Sequence, residues 1–314
     1  MKNSMVAPPS FKNLSELARQ FQLTEEAISR LIRLAHLRQH FQITLATDPI
    51  QLYYPFEYVK PLLMSNKKYL AMIGSNRLSK TTWMCYDLAS FAMGRHPNPR
   101  VKTPRNAQIW ISVEKNDKVD QVIEPKFREL MSDAQYEYNQ NKHSFYVKCG
   151  MNNWSEIHIK SEEADLGSYE SAKLARAACD EQPLEEVWDA ILVRLSDLHG
   201  QMLVGATMWE YGVTFLYDRL ITPVLENRPE ASMIELVGMD LPSEANPMLD
   251  KAEFDELRRQ LRLRSPEEAA VRFDGKYIPI SMMTPFPLEA LKMYRDLAKT
   301  VEAEDAELEM GGFN

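Results

Sequence analysis

The 314-residue chain has little cysteine and no long apolar run. Its apolar stretches, such as YLAMIG (69–74) and MLVGA (202–206), fall far short of the roughly 20 residues that cross a bilayer, which argues against a membrane protein. The N-terminal MKNSMVAPPSFKN lacks the apolar core of a signal peptide, so the protein is expected to stay in the cytoplasm where it is made. Cys85, Cys149 and Cys179 are widely spaced and show no metal-ligand pattern, so they read as reduced intracellular thiols. A net charge of -8 argues against a protein that coats nucleic acid over its whole surface, though not against a local basic track. There is no internal repeat and no low-complexity segment.

What is present is an ordinary globular composition, 45% hydrophobic and 26% charged, in a chain longer than one core usually needs. Residues 14–43 have helical periodicity, carried by Leu14, Leu17, Phe21, Ile28, Leu31, Ile32 and Leu34. Within them LSELARQFQLTEEAISRLIR resembles a helix-turn-helix, with Thr24 capping the second helix and Ile28 and Leu31 on its buried side, but Gln22 stands where the turn glycine belongs. A plain helical hairpin packed on the main domain is the competing reading. From residue 69, short apolar strands alternate with amphipathic helices: YLAMIG, AQIWISV (107–113), FYVKC, EIHIK and QMLVGAT (201–207), with helices over 80–93 and 183–198 among them. That alternation predicts an α/β domain with a mainly parallel central sheet flanked by helices, preceded by an N-terminal helical segment. The boundaries expected are 1–54 for the helical segment, 55–280 for the α/β domain and 281–314 for a C-terminal helix and acidic tail.

The stretch AMIGSNRLSKTTWM carries the chemistry. A phosphate-binding loop reads G-x-x-x-x-G-K-[ST], and Gly74, Lys80 and Thr81 hold the required spacing after a strand and before a helix. The second glycine is replaced by Ser79, the least bulky polar substitute. Backbone N–H groups of such a loop cradle phosphates, its lysine reaches the β- and γ-phosphates, and its threonine hydroxyl ligates Mg²⁺. The predicted nucleotide-binding set is therefore Gly74, Ser75, Asn76, Arg77, Ser79, Lys80, Thr81 and Thr82.

Two further signals follow. Asp180 and Glu181 in AACDEQP could supply a Mg²⁺ ligand and a water-activating carboxylate, although acids before a proline also begin helices. The strand before them, KLARAAC, is only modestly apolar. Thr207, at the tip of LVGAT, is placed to sense the state of a nucleotide, or merely to cap the strand.

In this order the pieces resemble the ATPase half of the large subunit of tailed-phage terminases, from about residue 55 to about residue 278. IGSNRLSKTTWMCYDLASFAMGRHP is similar to that family's loop and the helix ending in GRxP, DEQP to its Walker B acids, and VRLSDLHGQMLVGATMWEYGVTFLYDRL to its coupling motif. ANPMLDKAEFDELRRQLRLRSPEEAAVRFDGKYI is similar to the region after the ATPase core. The resemblance implies a P-loop NTPase that uses ATP and Mg²⁺ to drive double-stranded DNA into a capsid in the host cytoplasm. It implies Thr81 and Asp180 as metal ligands, Glu181 as the base, Thr207 as the coupling residue, and Arg77 as a cation neutralising the γ-phosphate. It also implies a portal protein, a small terminase subunit and a homo-oligomeric ring as partners. The family's nuclease domain is expected to be absent, because only some thirty-five residues follow Tyr277. Competing expectations are a degenerate terminase-like fold acting as a non-catalytic interaction module, and a DNA-binding regulator led by the N-terminal helices.

Overall fold

The apolar runs YLAMI, QIWISV and QMLVGA become strands inside an eight-stranded sheet, whose order among the described residues is β3-β4-β5-β2-β6-β7-β1-β8. The computed structural model describes residues 24–163, 166–169, 172–208 and 214–277. Helix α1 (Glu25–Thr47) is capped by Thr24, whose hydroxyl accepts from the Ala27 N–H at 3.2 Å. Contrary to the expected buried side, Leu31 is 42% exposed, and Leu34 and Phe41 are exposed as well. Among the described residues of α1, Thr44 alone is buried, and most of the others are exposed. The remainder of the helix-turn-helix pattern, up to Leu23, lies outside the described residues.

Helix α2 (Lys60–Met64) leads into β1 (Tyr69–Ile73), and α3 (Lys80–Ala92) follows it directly. Then come β2 (Gln108–Val113), α4 (Glu124–Leu130), β3 (Tyr136–Asn139), β4 (Ser144–Lys148), β5 (Trp154–Ser161) and β6 (Leu174–Asp180). The chain continues through α5 (Glu185–Ser196), β7 (Gln201–Ala206) and β8 (Ile234–Val237) to α6 (Lys251–Arg264) and α7 (Pro266–Asp274). From β5 to β8 every neighbouring pair is parallel, and only the β3–β4–β5 edge is antiparallel.

Both faces of the parallel strands are covered. Leu70 and Met72 of β1 join the core under α3 and α4, whereas Ala71 and Ile73 join the core under α5. A fully buried large apolar side chain contributes about 1.5–3 kcal/mol, so these two layers set the fold, with Trp83 and Trp188 the largest members, one on each face.

The helical segment after β2 is interrupted. A π turn at Val119–Ile123 precedes α4, and the Glu124 N–H donates to the Val119 carbonyl. Pro125 explains it: a proline has no N–H to donate one turn back, and the wider turn relieves its ring. A second π turn, Tyr217–Ile221, precedes Pro223 in the same way.

Strand β6 is buried along its whole length, although Arg176 weakens its apolar pattern. Arg176 donates to Asp87 of α3 through Nε at 2.5 Å and Nη2 at 2.8 Å, and through Nη1 to Gln201 of β7 at 2.5 Å. His96 lies 3.0 Å from the same Asp87 carboxylate. Burial alone would raise the Asp87 pKa, but Arg176 and His96 outweigh it and hold it below the usual range. The charge in the strand is thus a clamp between sheet and helix.

Candidate nucleotide site

The loop between β1 and α3 starts at Gly74, where a side chain would not fit. A Cβ there would lie 2.2 Å from the carbonyl oxygen of Gly238, which follows β8. Arg77 and Ser79 both adopt left-handed backbone, with φ of 65° and 58°. Ser79 is the N-cap of α3 and its carbonyl accepts from the Trp83 N–H at 2.9 Å, which starts the helix. This position needs the conformation that glycine adopts freely and serine at a cost of roughly 1–2 kcal/mol, so the loop keeps its shape without its second glycine.

Lys80 opens α3 and turns its side chain back into the loop. It is 7% exposed, and its Nζ donates to the Ser75 carbonyl at 2.9 Å, the Gly74 carbonyl at 3.3 Å and the Thr207 hydroxyl at 2.7 Å. Burial pushes its pKa down, and the charges of Glu181 and Asp180 offset that only in part.

Asp180 ends β6 and Thr207 immediately follows β7, so the parallel register delivers both beside the loop. The Thr81 hydroxyl donates to Asp180 Oδ1 at 2.7 Å. Glu181, at φ 72°, is held by its N–H on the Gly205 carbonyl at 2.8 Å, and its carboxylate accepts from the Thr207 N–H at 2.8 Å. The Thr207 hydroxyl in turn donates to Asn76 Oδ1 at 3.0 Å. Burial raises the pKa of both acids, more than Thr81 and Lys118 lower that of Asp180, or Lys80 and the Thr207 N–H that of Glu181. Helix α5 starts only at Glu185, so the acid pair belongs to the strand end and not to a helix start.

Of the predicted residues, Asn76, Lys80 and Glu181 are joined by hydrogen bonds through Thr207, Thr81 and Asp180 form a separate bonded pair beside them, and the Gly74 and Ser75 carbonyls hold Lys80. Two residues stand apart. The Arg77 side chain is exposed and makes no hydrogen bond or ion pair among the described residues, and Thr82 is half-buried with none from its hydroxyl.

Several contacts have no counterpart in the sequence reading. The loop is gripped from the C-terminal side by Ser243, whose hydroxyl donates to the Asn76 carbonyl at 2.7 Å, and by Asn246, whose Nδ2 donates to the Arg77 carbonyl at 2.7 Å. The Asn76 N–H donates to the Arg272 carbonyl of α7 at 2.7 Å, and the Ser75 hydroxyl to the Leu241 carbonyl at 2.8 Å. Lys118 faces the acid pair from the short helical turn after β2. Burial would lower its pKa, but its bond with Glu114 and the charges of Asp180 and Glu181 prevail and raise it. Its place beyond the C-terminal end of a neighbouring parallel strand, where ligands of such sheets bind, was the available signal.

No protein-family model and no curated protein matches this chain. Solved structures do. The large terminase ATPase domain of Thermus phage P74-26 superposes with a TM-score of 0.54 at 17% identity, over 73% of this chain and 96% of that one. The large terminase of a thermophilic bacteriophage, also solved in complex with ADP, gives 0.57 at 12% identity over 71% of this chain. The HK97 bacteriophage large terminase gives 0.56 at 13% identity, also over 71%. The chain spans about half the length of the last two, 53% and 50%. It has the fold of a phage large-terminase ATPase domain. Among the described residues, no helix is long and apolar enough to cross a membrane.

Proposed function

We infer that the domain binds ATP with Mg²⁺ in the loop over residues 74–82 and hydrolyses it, as the motor of a DNA-packaging terminase acting on double-stranded DNA. The observation that carries this reading is the 2.7 Å contact between the Thr81 hydroxyl and Asp180. A loop hydroxyl and a strand-end carboxylate are the hard oxygen donors that Mg²⁺ prefers, and here they meet beside a buried ammonium. Bound there, Mg²⁺ and ATP would supply charge neutralisation and the phosphoanhydride bond.

The chain's own residues do the rest. Lys80, now on the Gly74 and Ser75 carbonyls, would supply the cation for the phosphate oxygens. Thr81 and Asp180 would hold the metal. Glu181, kept in place by the Thr207 N–H, accepts the proton of the attacking water. Arg77, exposed and with no side-chain partner among the described residues, is placed to reach the γ-phosphate. Thr207 touches Lys80, Asn76 and Glu181 at once and so links the loop to the base. Portal protein, small subunit and a ring of copies are the partners that this reading implies.

One observation favours a second reading, a non-catalytic terminase-like module. The Asn76 N–H and the Lys80 ammonium, both expected on phosphates, are taken by the protein's own carbonyls. The two readings separate in an ATPase assay with and without duplex DNA. The motor reading expects DNA-stimulated hydrolysis that disappears in Lys80→Ala and Glu181→Gln. Absence of Mg·ATP binding at millimolar nucleotide would leave the module reading standing.

A further inference from the structure

Strand β5 ends at Ser161, and two carboxylates follow it, Glu162 and Glu163. The Glu162 N–H extends the ladder to the Val113 carbonyl at 2.9 Å, which fixes where both side chains begin. Glu162 is half-buried. Its Oε2 accepts from the backbone N–H of Leu184 at 2.9 Å, and its Oε1 from the Ser112 hydroxyl at 3.2 Å. Leu184 is the N-cap of α5, and its own side chain gives that helix no capping bond. The carboxylate that satisfies this N–H therefore comes from β5, twenty-two residues earlier in the chain. Between β6 and this anchor lie only Glu181, Gln182 and Pro183, so the anchor limits where the Glu181 backbone can go.

Glu163 grips the opposite flank. Its Oε2 accepts from both the N–H of Asn116 at 3.0 Å and the Asn116 side-chain amide at 2.7 Å. Asn116 begins the Asn116–Lys118 turn, which carries Lys118 toward the acid pair.

We propose that Glu162 and Glu163 are positioning residues for hydrolysis: Glu162 fixes the turn that carries Glu181, and Glu163 fixes the turn that carries Lys118. This rests on the ATPase reading. The hydrogen-bond partners of both carboxylates, Ser112, Leu184 and Asn116, lie outside the loop after β1. Both carboxylates follow β5, and they act through the backbone N–H groups of Leu184 and Asn116 in the segments that leave the adjacent parallel strands β6 and β2. A displaced base costs rate rather than affinity, because binding is carried by the loop after β1.

The test compares Glu162→Ala, Glu162→Gln and the parent in steady-state ATP hydrolysis, alongside hydrogen exchange of the segment 181–188. Glu162→Ala is expected to lower kcat about 10- to 100-fold with KM within about threefold. Exchange of 181–188 should quicken. Glu162→Gln keeps an oxygen that accepts the Leu184 N–H, so it should retain most of the rate and the slow exchange. An alanine variant that keeps its kcat overturns the proposal. So does one that loses KM and kcat together, or a glutamine variant as impaired as alanine. If the parent hydrolyses no ATP, the ATPase reading fails by itself and exchange decides about the tether: unchanged exchange at 181–188 in Glu162→Ala would refute it.

Discussion

Lys80 and Thr207, 127 residues apart in the chain, share a 2.7 Å hydrogen bond that joins the phosphate-loop lysine to the tip of the neighbouring strand. The threonine hydroxyl both accepts from the ammonium and donates to Asn76. Thr207→Val keeps the shape and removes both bonds. A buried ammonium left one partner short costs about 1–3 kcal/mol, so the variant should denature at lower urea, while Thr207→Ser stays close to the parent. On the motor reading hydrolysis should fall with it. A valine variant as stable as the parent would show that the bond contributes nothing.

The loop was legible because its chemistry is local: Gly74, Lys80 and Thr81 are spaced by the turn itself, and a strand and a helix flank them. β6 was less legible. Arg176 breaks its apolar run, and its partner Asp87 lies 89 residues away on another element, so no window of sequence shows the pair together. Ser243 and Asn246 could not be found by type or spacing either. They act on backbone carbonyls of the loop from 167 and 169 residues downstream. Leu31 misled for the reverse reason: its periodicity is helical, as the structure is, but periodicity does not say whether a neighbour covers the face.

That buried pair makes a second prediction. Asp87→Ala leaves the Arg176 guanidinium in the core without a counter-charge and should cost about 3–5 kcal/mol, whereas Asp87→Leu with Arg176→Met should recover most of it. The pH dependence has a definite sign. Asp87 has its folded pKa below the ordinary 3.8, so the unfolded state binds the proton first. Its contribution is complete above that value and is lost as pH falls through the lower, folded one. Urea titrations at neutral and acid pH check both statements.

The acid pair titrates the other way. Burial raises Asp180 above 3.8, so the folded state holds the proton more tightly and stability falls as pH rises through that window. Asp180→Asn keeps an oxygen that accepts from Thr81, and Glu181 remains as a counter-charge for Lys80. The variant should therefore melt higher than the parent at pH 7, with the gap closing as pH is lowered toward 3.8, and it should lose Mg²⁺-dependent hydrolysis. Equal or lower melting at about pH 7 would show that the ionised carboxylate is not under strain.

Ser79 is tested by the backbone it adopts. At φ 58° glycine would remove the left-handed cost of roughly 1–2 kcal/mol but would add about 0.5–1 kcal/mol of unfolded-state freedom. The difference favours glycine by about 0–1.5 kcal/mol, so Ser79→Gly should leave stability unchanged or raise it slightly. A β-branched residue gains nothing and clashes, so Ser79→Val should lose more than Ser79→Gly and should weaken nucleotide binding by distorting the cap of α3. Thermal melts of both variants, with and without Mg·ATP, read the difference. If valine is tolerated as well as glycine, the left-handed turn is not what the loop requires of this position. The case that serine substitutes for the missing glycine would then fall.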